Sequence, residues 1–138
     1  MNSTISGRRA AVFGVALWVA FAAGCGGKAP LTAPPPNVQD ALQDLGDLLK
    51  LLGEQKQKLP ARQADLDLYE PTAPHAAAAV QSQQITYFWG NGITPGGKAV
   101  IAHDAKAAAD GGAVLLQDGT VKTLSAAEFA AAPKAAKR

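Results

Sequence analysis

The side chains that could act as nucleophiles, bases or metal ligands are few and widely separated in this chain. Cys25 is the single cysteine, and His75 and His103 are the only histidines. Neither histidine has a second ligand at the spacing of one helical turn. Asp104 and Asp110 place carboxylates near His103, but no loop repeats the ligand spacing of a calcium hand. We therefore predict no catalytic residue, no metal site and no cofactor.

One aromatic segment is the best candidate for contact with a ligand or a partner. Tyr87, Phe88 and Trp89 are consecutive, so on a strand their side chains alternate between two faces and one can be exposed. A core role for these rings is favoured, with the tyrosine hydroxyl reaching towards solvent. The alternative is a contact site formed by Tyr87 and Trp89 together with His103 and Asp104 of the next predicted strand.

The residues before Cys25 have the composition of an export signal. A short polar start ends in Arg8 and Arg9, and residues 10–23 form an uninterrupted run of apolar or small side chains. This run is shorter than the ~20 apolar residues that a membrane-spanning helix needs. A single cysteine cannot form an internal disulfide, so an unpaired thiol in an exported protein needs another explanation.

Lipid attachment supplies that explanation. The string Ala22-Ala23-Gly24-Cys25 resembles the lipobox of bacterial lipoproteins, in which small residues precede the cut and the cysteine thiol takes up diacylglycerol. Ala22 departs from this pattern, because leucine is usual at that position. We predict that residues 1–24 are a signal peptide, cleaved between Gly24 and Cys25. The chain is then exported and anchored to a bacterial membrane by lipid on Cys25, with its domain facing the periplasm.

Three alternatives to this interpretation remain open. The string Ala20-Phe21-Ala22 fits the pattern of ordinary signal cleavage, and an uncleaved segment would itself act as an anchor. The adjacent pair Arg8 and Arg9 invites export by the twin-arginine route, although the apolar residues that usually follow that pair are displaced here. The sequence does not distinguish an inner from an outer membrane.

Residues 25–36, CGGKAPLTAPPP, are rich in glycine and proline. Glycine makes the backbone flexible, and consecutive prolines extend it by about 3.1 Å per residue. This segment is therefore predicted to be a tether. A proline-rich ligand for a recognition domain is the alternative, but flanking basic or aromatic determinants are missing. Without Arg8 and Arg9 the formal charge of +2 falls to near zero, so no nucleic-acid partner is expected.

An amphipathic helix is predicted after the tether. Asn37 can cap it, Gly53 lies near its end and Pro60 prevents its continuation. Its apolar stripe recurs at helical spacing and consists of Val38, Leu42, Leu45, Leu49 and Leu52. We expect this stripe to pack on the rest of the same domain. A self-associating helix pair is the alternative, although a sustained coiled coil needs about three or more heptads.

Strand signals dominate the second half of the chain. After a short helix at 75–80, β-branched and aromatic runs at 85–89, 99–102, 113–117 and 120–123 predict four short strands. Strands in close succession favour an antiparallel meander. Asp118-Gly119 predicts a tight two-residue hairpin turn between the last two strands, with positive φ at Gly119.

The C-terminal end carries a helix signature. Ser125 and Glu128 have the spacing of a capping box, and Leu124 and Phe129 are placed to form a hydrophobic staple. The predicted fold class is therefore α+β, with an amphipathic N-terminal helix packed on a small antiparallel meander of about four strands and a short C-terminal helix. This domain spans residues 37–132, and residues 133–138 are predicted to be a disordered tail.

Part of the second half resembles a known group of proteins. Residues 111–122, GGAVLLQDGTVK, and 125–129, SAAEF, are similar to the C-terminal signature of small planctomycete lipoproteins of unknown role. The strings Tyr87-Phe88-Trp89-Gly90 and Ala102-His103-Asp104 lie where that family has an aromatic strand and the strand after it. A similar hairpin ends the pilin-like secretion proteins, but here a lipobox replaces the prepilin leader. Neither resemblance implies a catalytic residue.

Two classes of function fit these observations. The preferred one is a non-catalytic structural or protein-interaction module of the cell envelope, whose partner is another envelope protein bound through the leucine stripe or a sheet edge. The second is a small accessory enzyme or ligand carrier with a site near the aromatic strand. A pocket lined by Tyr87 or Trp89 together with His103 and Asp104 would favour the second. The oligomeric state is not determined by the sequence.

Overall fold

The computed structural model describes residues 37–137. The predicted signal peptide, the cleavage site at Gly24 and Cys25 and the tether at 25–36 lie outside them. The elements are α1 (Val38–Glu54), α2 (Gln63–Asp67), α3 (Pro74–Gln81), β1 (Ile85–Tyr87), β2 (Val100–Asp104), α4 (Ala107–Asp110), β3 (Gly112–Leu116), β4 (Val121–Leu124) and α5 (Ala126–Ala131). The strands form one antiparallel sheet in the order β1-β2-β3-β4. The predicted α+β class and the four-stranded meander are therefore confirmed.

Helix α1 begins and ends close to where its sequence predicts. The side chain of Asn37 accepts a hydrogen bond from the Gln39 N–H at 3.1 Å, which caps the first turn. At the other end the Gln57 N–H donates to the Leu52 carbonyl at 2.9 Å, and Lys56 adopts a left-handed φ of 52°. This is the hydrogen-bond pattern of a helix closed by a left-handed residue, a position that usually holds glycine.

The leucine stripe of α1 is internal, as predicted. Leu42, Leu45 and Leu49 are fully buried and belong to the same core cluster as Tyr87 and Leu115 of the sheet. Each buried leucine contributes about 1.5–3 kcal/mol to stability. The stripe therefore covers one face of the sheet, which the short C-terminal helix cannot do.

Helix α3 packs against α1 and receives its N-terminal cap from it. Ala73 stands at the N-cap position of α3 and has no side-chain hydrogen bond to offer. Instead, Oδ2 of Asp44 accepts the N–H groups of His75 at 2.9 Å and Ala76 at 3.2 Å. The carboxylate of one helix thus satisfies free donors at the positive end of another.

A bulge in β2 decides which side chains share a face. Val100 pairs with Leu116 and Ala102 pairs with Leu115, so β2 has one extra residue, Ile101, between them. As a result Ile101 and Ala102 both lie in the core under α1, whereas Val100 lies in the smaller core on the opposite face.

That opposite face is covered by α4 and α5. The capping box of α5 is confirmed, because the Ser125 hydroxyl accepts the Glu128 N–H at 3.3 Å and the Glu128 carboxylate accepts the Ser125 N–H at 2.8 Å. Leu124 and Phe129 are buried in the same cluster, as expected for the staple. The helix therefore starts where the sequence predicts and folds back on the sheet.

The hairpin between β3 and β4 differs in one detail from the prediction. Gly119 has a φ of +90°, as expected. The Gly119 N–H donates to the Leu116 carbonyl and the Leu116 N–H donates to the Thr120 carbonyl, each at 2.9 Å. These bonds close a three-residue loop, with Gly119 last, rather than the two-residue turn that the Asp-Gly pair suggested.

The C-terminal segment corrects a second prediction. Residues 133–137, predicted to be disordered, lie beside the start of β2. Val100 donates its N–H to the Pro133 carbonyl at 2.8 Å and accepts the Ala135 N–H at 2.9 Å. The Lys134 ammonium donates to the Phe129 carbonyl at 2.6 Å, at the negative end of α5. Strand β1 ends at Tyr87 and does not reach Val100. The N–H and carbonyl of Val100 can therefore pair with the tail, and these bonds hold the tail in place.

No helix within residues 37–137 combines the length and apolar character that crossing a membrane requires.

Candidate functional site

The four predicted contact residues do not form one site. Tyr87 faces α1 and is buried, and its hydroxyl donates a hydrogen bond to the Asn91 carbonyl. Burial raises the pKa of the Tyr87 phenol well above its ordinary range. The Asn91 amide in turn donates to the carbonyls of Phe88 and Ala136, each at 2.8 Å. Tyr87 therefore serves the core, as the favoured interpretation predicted, but its hydroxyl bonds to a buried main-chain carbonyl and does not reach towards solvent as expected.

His103 lies on the other face of the sheet. Its ring centroid is 5.6 Å from that of Phe88 and 4.8 Å from that of Phe129. Its Nδ1 is 2.7 Å from the Asp104 carbonyl, so this nitrogen acts as the donor in a bond to the main chain. The Asp104 carboxylate accepts the Lys106 N–H at 2.9 Å in the turn after β2. Both residues are thus engaged locally, away from Tyr87.

The ionisable groups with the clearest perturbations are also structural. The Thr120 N–H and hydroxyl beside Asp118 lower the pKa of that carboxyl, and Ser125 does the same for Glu128. The Ala61 N–H, followed by Arg62, lowers the pKa of Asp65. Each of these carboxylates closes a turn or a cap.

A groove of about 440 Å³ beside β1 is the strongest candidate for ligand contact. Two of the predicted residues, Tyr87 and Trp89, line it, whereas His103 and Asp104 do not. The Trp89 ring meets the Tyr87 ring edge-on, with centroids 5.0 Å apart at 74°. Among the described residues, none that lines this groove is charged.

The remaining walls of the groove come from residues that the sequence did not single out. They are Gln63 of α2, Val80 of α3, Gln83, Ile85, Thr86 and Ala105. Glutamine and threonine at these positions match no motif, so only the packing of α2 and α3 beside β1 identifies them.

A larger groove of about 570 Å³ lies on the opposite face, between β4 and α5. Leu116 and Leu124 contribute to it, and its charged lining residues are Lys98, Asp118, Lys122 and Glu128. The positive charge of Lys122 favours the charged forms of Asp118 and Glu128, so its charge partly offsets theirs in this groove.

Within residues 37–137 no three His, Cys, Asp or Glu side chains are grouped so that they could hold a metal ion. No family model, curated protein or solved structure matches the chain.

Proposed function

We propose that this chain is an exported lipoprotein whose domain is a non-catalytic binding module of the cell envelope, held to a membrane by lipid on Cys25. The lipobox and the tether in the sequence support the anchor. The resemblance of residues 111–122 and 125–129 to small planctomycete lipoproteins of unknown role also supports the anchor.

The binding role is supported by one observation: the side chains that could do chemistry are engaged in hydrogen bonds that stabilise the fold. The Tyr87 hydroxyl, the His103 ring and the Asp104 carboxylate each bond to a main-chain group nearby. The Ser125 hydroxyl is likewise occupied by the cap of α5. Because these groups hold the fold, we favour action through surfaces over action through reactive side chains.

The outer edge of β4 is the surface best suited to a protein partner. The bond from Leu116 to Thr120 fixes the alternation of the β3–β4 ladder, so Val121 and Thr123 direct their main-chain groups away from β3. These groups make no hydrogen bond to another residue in the part of the chain that the structure describes. An extended segment of a partner can therefore add as a further strand.

The anchor is tested with Cys25→Ala in the full chain, expressed in a bacterium that processes lipoproteins. We expect the parent chain to incorporate labelled palmitate and to sediment with membranes, because several acyl chains give stable anchoring. The variant should lose both properties, whereas Ala22→Leu, which restores the usual lipobox residue, should keep them. A Cys25→Ala protein that remains in the membrane fraction would show that something else anchors the chain.

The edge is tested by cross-linking envelopes that contain the anchored chain. Thr123→Pro removes an outward N–H without removing a bond to β3, whereas Thr123→Val keeps that N–H. We expect a cross-linked partner with the parent chain and Thr123→Val, and none with Thr123→Pro. Equal cross-linking of both variants would exclude the β4 edge.

A small accessory enzyme or ligand carrier is the second candidate. The groove beside β1 favours its carrier form, because Tyr87 and Trp89 line a concave surface there.

A further inference from the structure

We infer that the groove beside β1 binds an uncharged, hydroxyl-rich ligand, a sugar ring that stacks on Trp89 and hydrogen-bonds to Gln63, Gln83 and Thr86. This deepens the proposed binding role by naming the chemical class of a ligand for a second surface. The volume of about 440 Å³ is sufficient for one or two such rings.

The lining of the groove selects against charged ligands. A carboxylate or phosphate group entering it would lose water without meeting an opposite charge, because no lining residue within 37–137 is ionised at neutral pH. Side-chain amides and hydroxyls both donate and accept hydrogen bonds, as sugar hydroxyls do. Gln63 is held in place through its Nε2, which donates to Asp67 at 2.6 Å, and its Oε1 is an acceptor.

Trp89 provides a fixed platform for stacking. Its indole is half-buried and packs against the core under α1, and its edge-on contact with Tyr87 restrains the ring. Tyr87 is itself restrained by its bond to the Asn91 carbonyl. The negative face of an aromatic ring attracts the weakly positive C–H groups on the flat side of a sugar. A platform that is ordered before binding lowers the entropic cost of association.

An added peptide strand is a poorer occupant of this groove. Ile85 and Tyr87 carry the outward main-chain groups of β1, since the bonds to β2 fall on the residues between and beside them. These two residues are only 2% and 3% exposed. Strand addition needs an accessible edge, which β4 offers and β1 does not.

Gln83 occupies a backbone position that disfavours any side chain. Its φ is 58°, and the Gln84 N–H donates to the Ala79 carbonyl at 2.8 Å, which closes α3 in the same way that Lys56 helps to close α1. Glycine is the usual residue at both positions. Only Gln83 lines the groove. Gln83 and Lys56 are therefore a matched pair: both have a strained left-handed backbone, but only Gln83 can contact a ligand in the groove.

The experiment uses the full chain in a zwitterionic detergent, with Trp18→Phe so that Trp89 is the single tryptophan whether or not residues 1–24 have been cleaved. Its fluorescence is titrated with triacetylchitotriose, with maltotriose, with an acidic galacturonate trimer, and with an uncharged hexapeptide of threonine and valine. We expect at least one neutral sugar to saturate with a Kd of about 1 mM or tighter, and the acidic sugar to bind about tenfold more weakly or less. The hexapeptide should give no saturable change.

The matched pair decides whether the groove is the site. Gln83→Gly and Lys56→Gly should both raise the melting temperature, because each relieves a left-handed backbone. Gln83→Gly should weaken sugar binding about tenfold or more, whereas Lys56→Gly should leave it unchanged. The inference is overturned if neither neutral sugar saturates, if only the hexapeptide does, or if the two variants bind sugar equally. Lipid labelling and edge cross-linking test the proposed function separately and do not depend on these results.

Discussion

Asp44 of α1 supplies the N-terminal cap that α3 lacks in its own sequence. Its Oδ2 accepts the N–H groups of His75 and Ala76, and its side chain is 22% exposed. In Asp44→Ala these donors face a truncated side chain, so the variant loses a cap worth about 1–2 kcal/mol. Because Asn keeps an acceptor oxygen and loses only the charge, Asp44→Asn should cost about half as much.

The assay is thermal and urea unfolding of the full chain, followed by circular dichroism. A loss of about 1 kcal/mol lowers the melting temperature of a domain of this size by ~4–8 °C. Asp47→Ala is the matched control, because Asp47 lies on the same helix and, among residues 37–137, its side chain bonds only to Gln43, at 3.3 Å. The control should change stability by less than about 0.5 kcal/mol. If Asp44→Ala and Asp47→Ala were equally stable, the capping role of Asp44 would be refuted.

Three further predictions concern the core, the hairpin and alkaline stability. Leu45→Asp should leave the chain unfolded by circular dichroism, because Leu45 is fully buried, whereas Leu51→Asp should remain folded because Leu51 is 39% exposed. A folded Leu45→Asp chain that loses a partner would instead make the leucine stripe an interface. Gly119→Val should lower stability by about 1 kcal/mol or more through its positive φ, whereas Gly53→Ala, in open space on α1, should raise it by roughly 0.5–1 kcal/mol in urea titrations. The raised pKa of Tyr87 gives stability that is complete below the ordinary tyrosine pKa of about 10 and is lost as pH rises above it. The free energy of unfolding of Tyr87→Phe, measured in urea, should therefore fall less than that of the parent between pH 9 and about 11. Parallel plots of this free energy against pH for the two proteins would contradict the prediction.

Local physical chemistry made much of the fold readable from the sequence. The stripe of α1 repeats at helical spacing after a capping residue, and both features act within a few residues of one another. The capping box of Ser125 and Glu128 and the positive φ of Gly119 are equally local. The structure confirms all three.

The candidate site depended on contacts that sequence spacing does not encode. Tyr87 pairs with Ala102 and Thr86 pairs with His103, so the register of β1 against β2 places Tyr87 and His103 on opposite faces. The bulge at Ile101 arises from pairing between β2 and β3 and separates Val100 from Ala102. The order of the tail depends on main-chain groups of Val100 that β1 fails to reach.

The sequence by itself determined the features whose energy comes from neighbours along the chain: α1, α5 and the left-handed glycine in the turn between β3 and β4. Only the tertiary structure decided which element caps another and which residues line the same groove. Asp44 caps a helix thirty-one residues away in the chain, and Gln63, Gln83 and Trp89 meet in a groove although no periodicity connects them. The physical reason is that a hydrogen bond or a shared cavity between distant residues depends on how the packed elements are oriented, which propensity and spacing leave open.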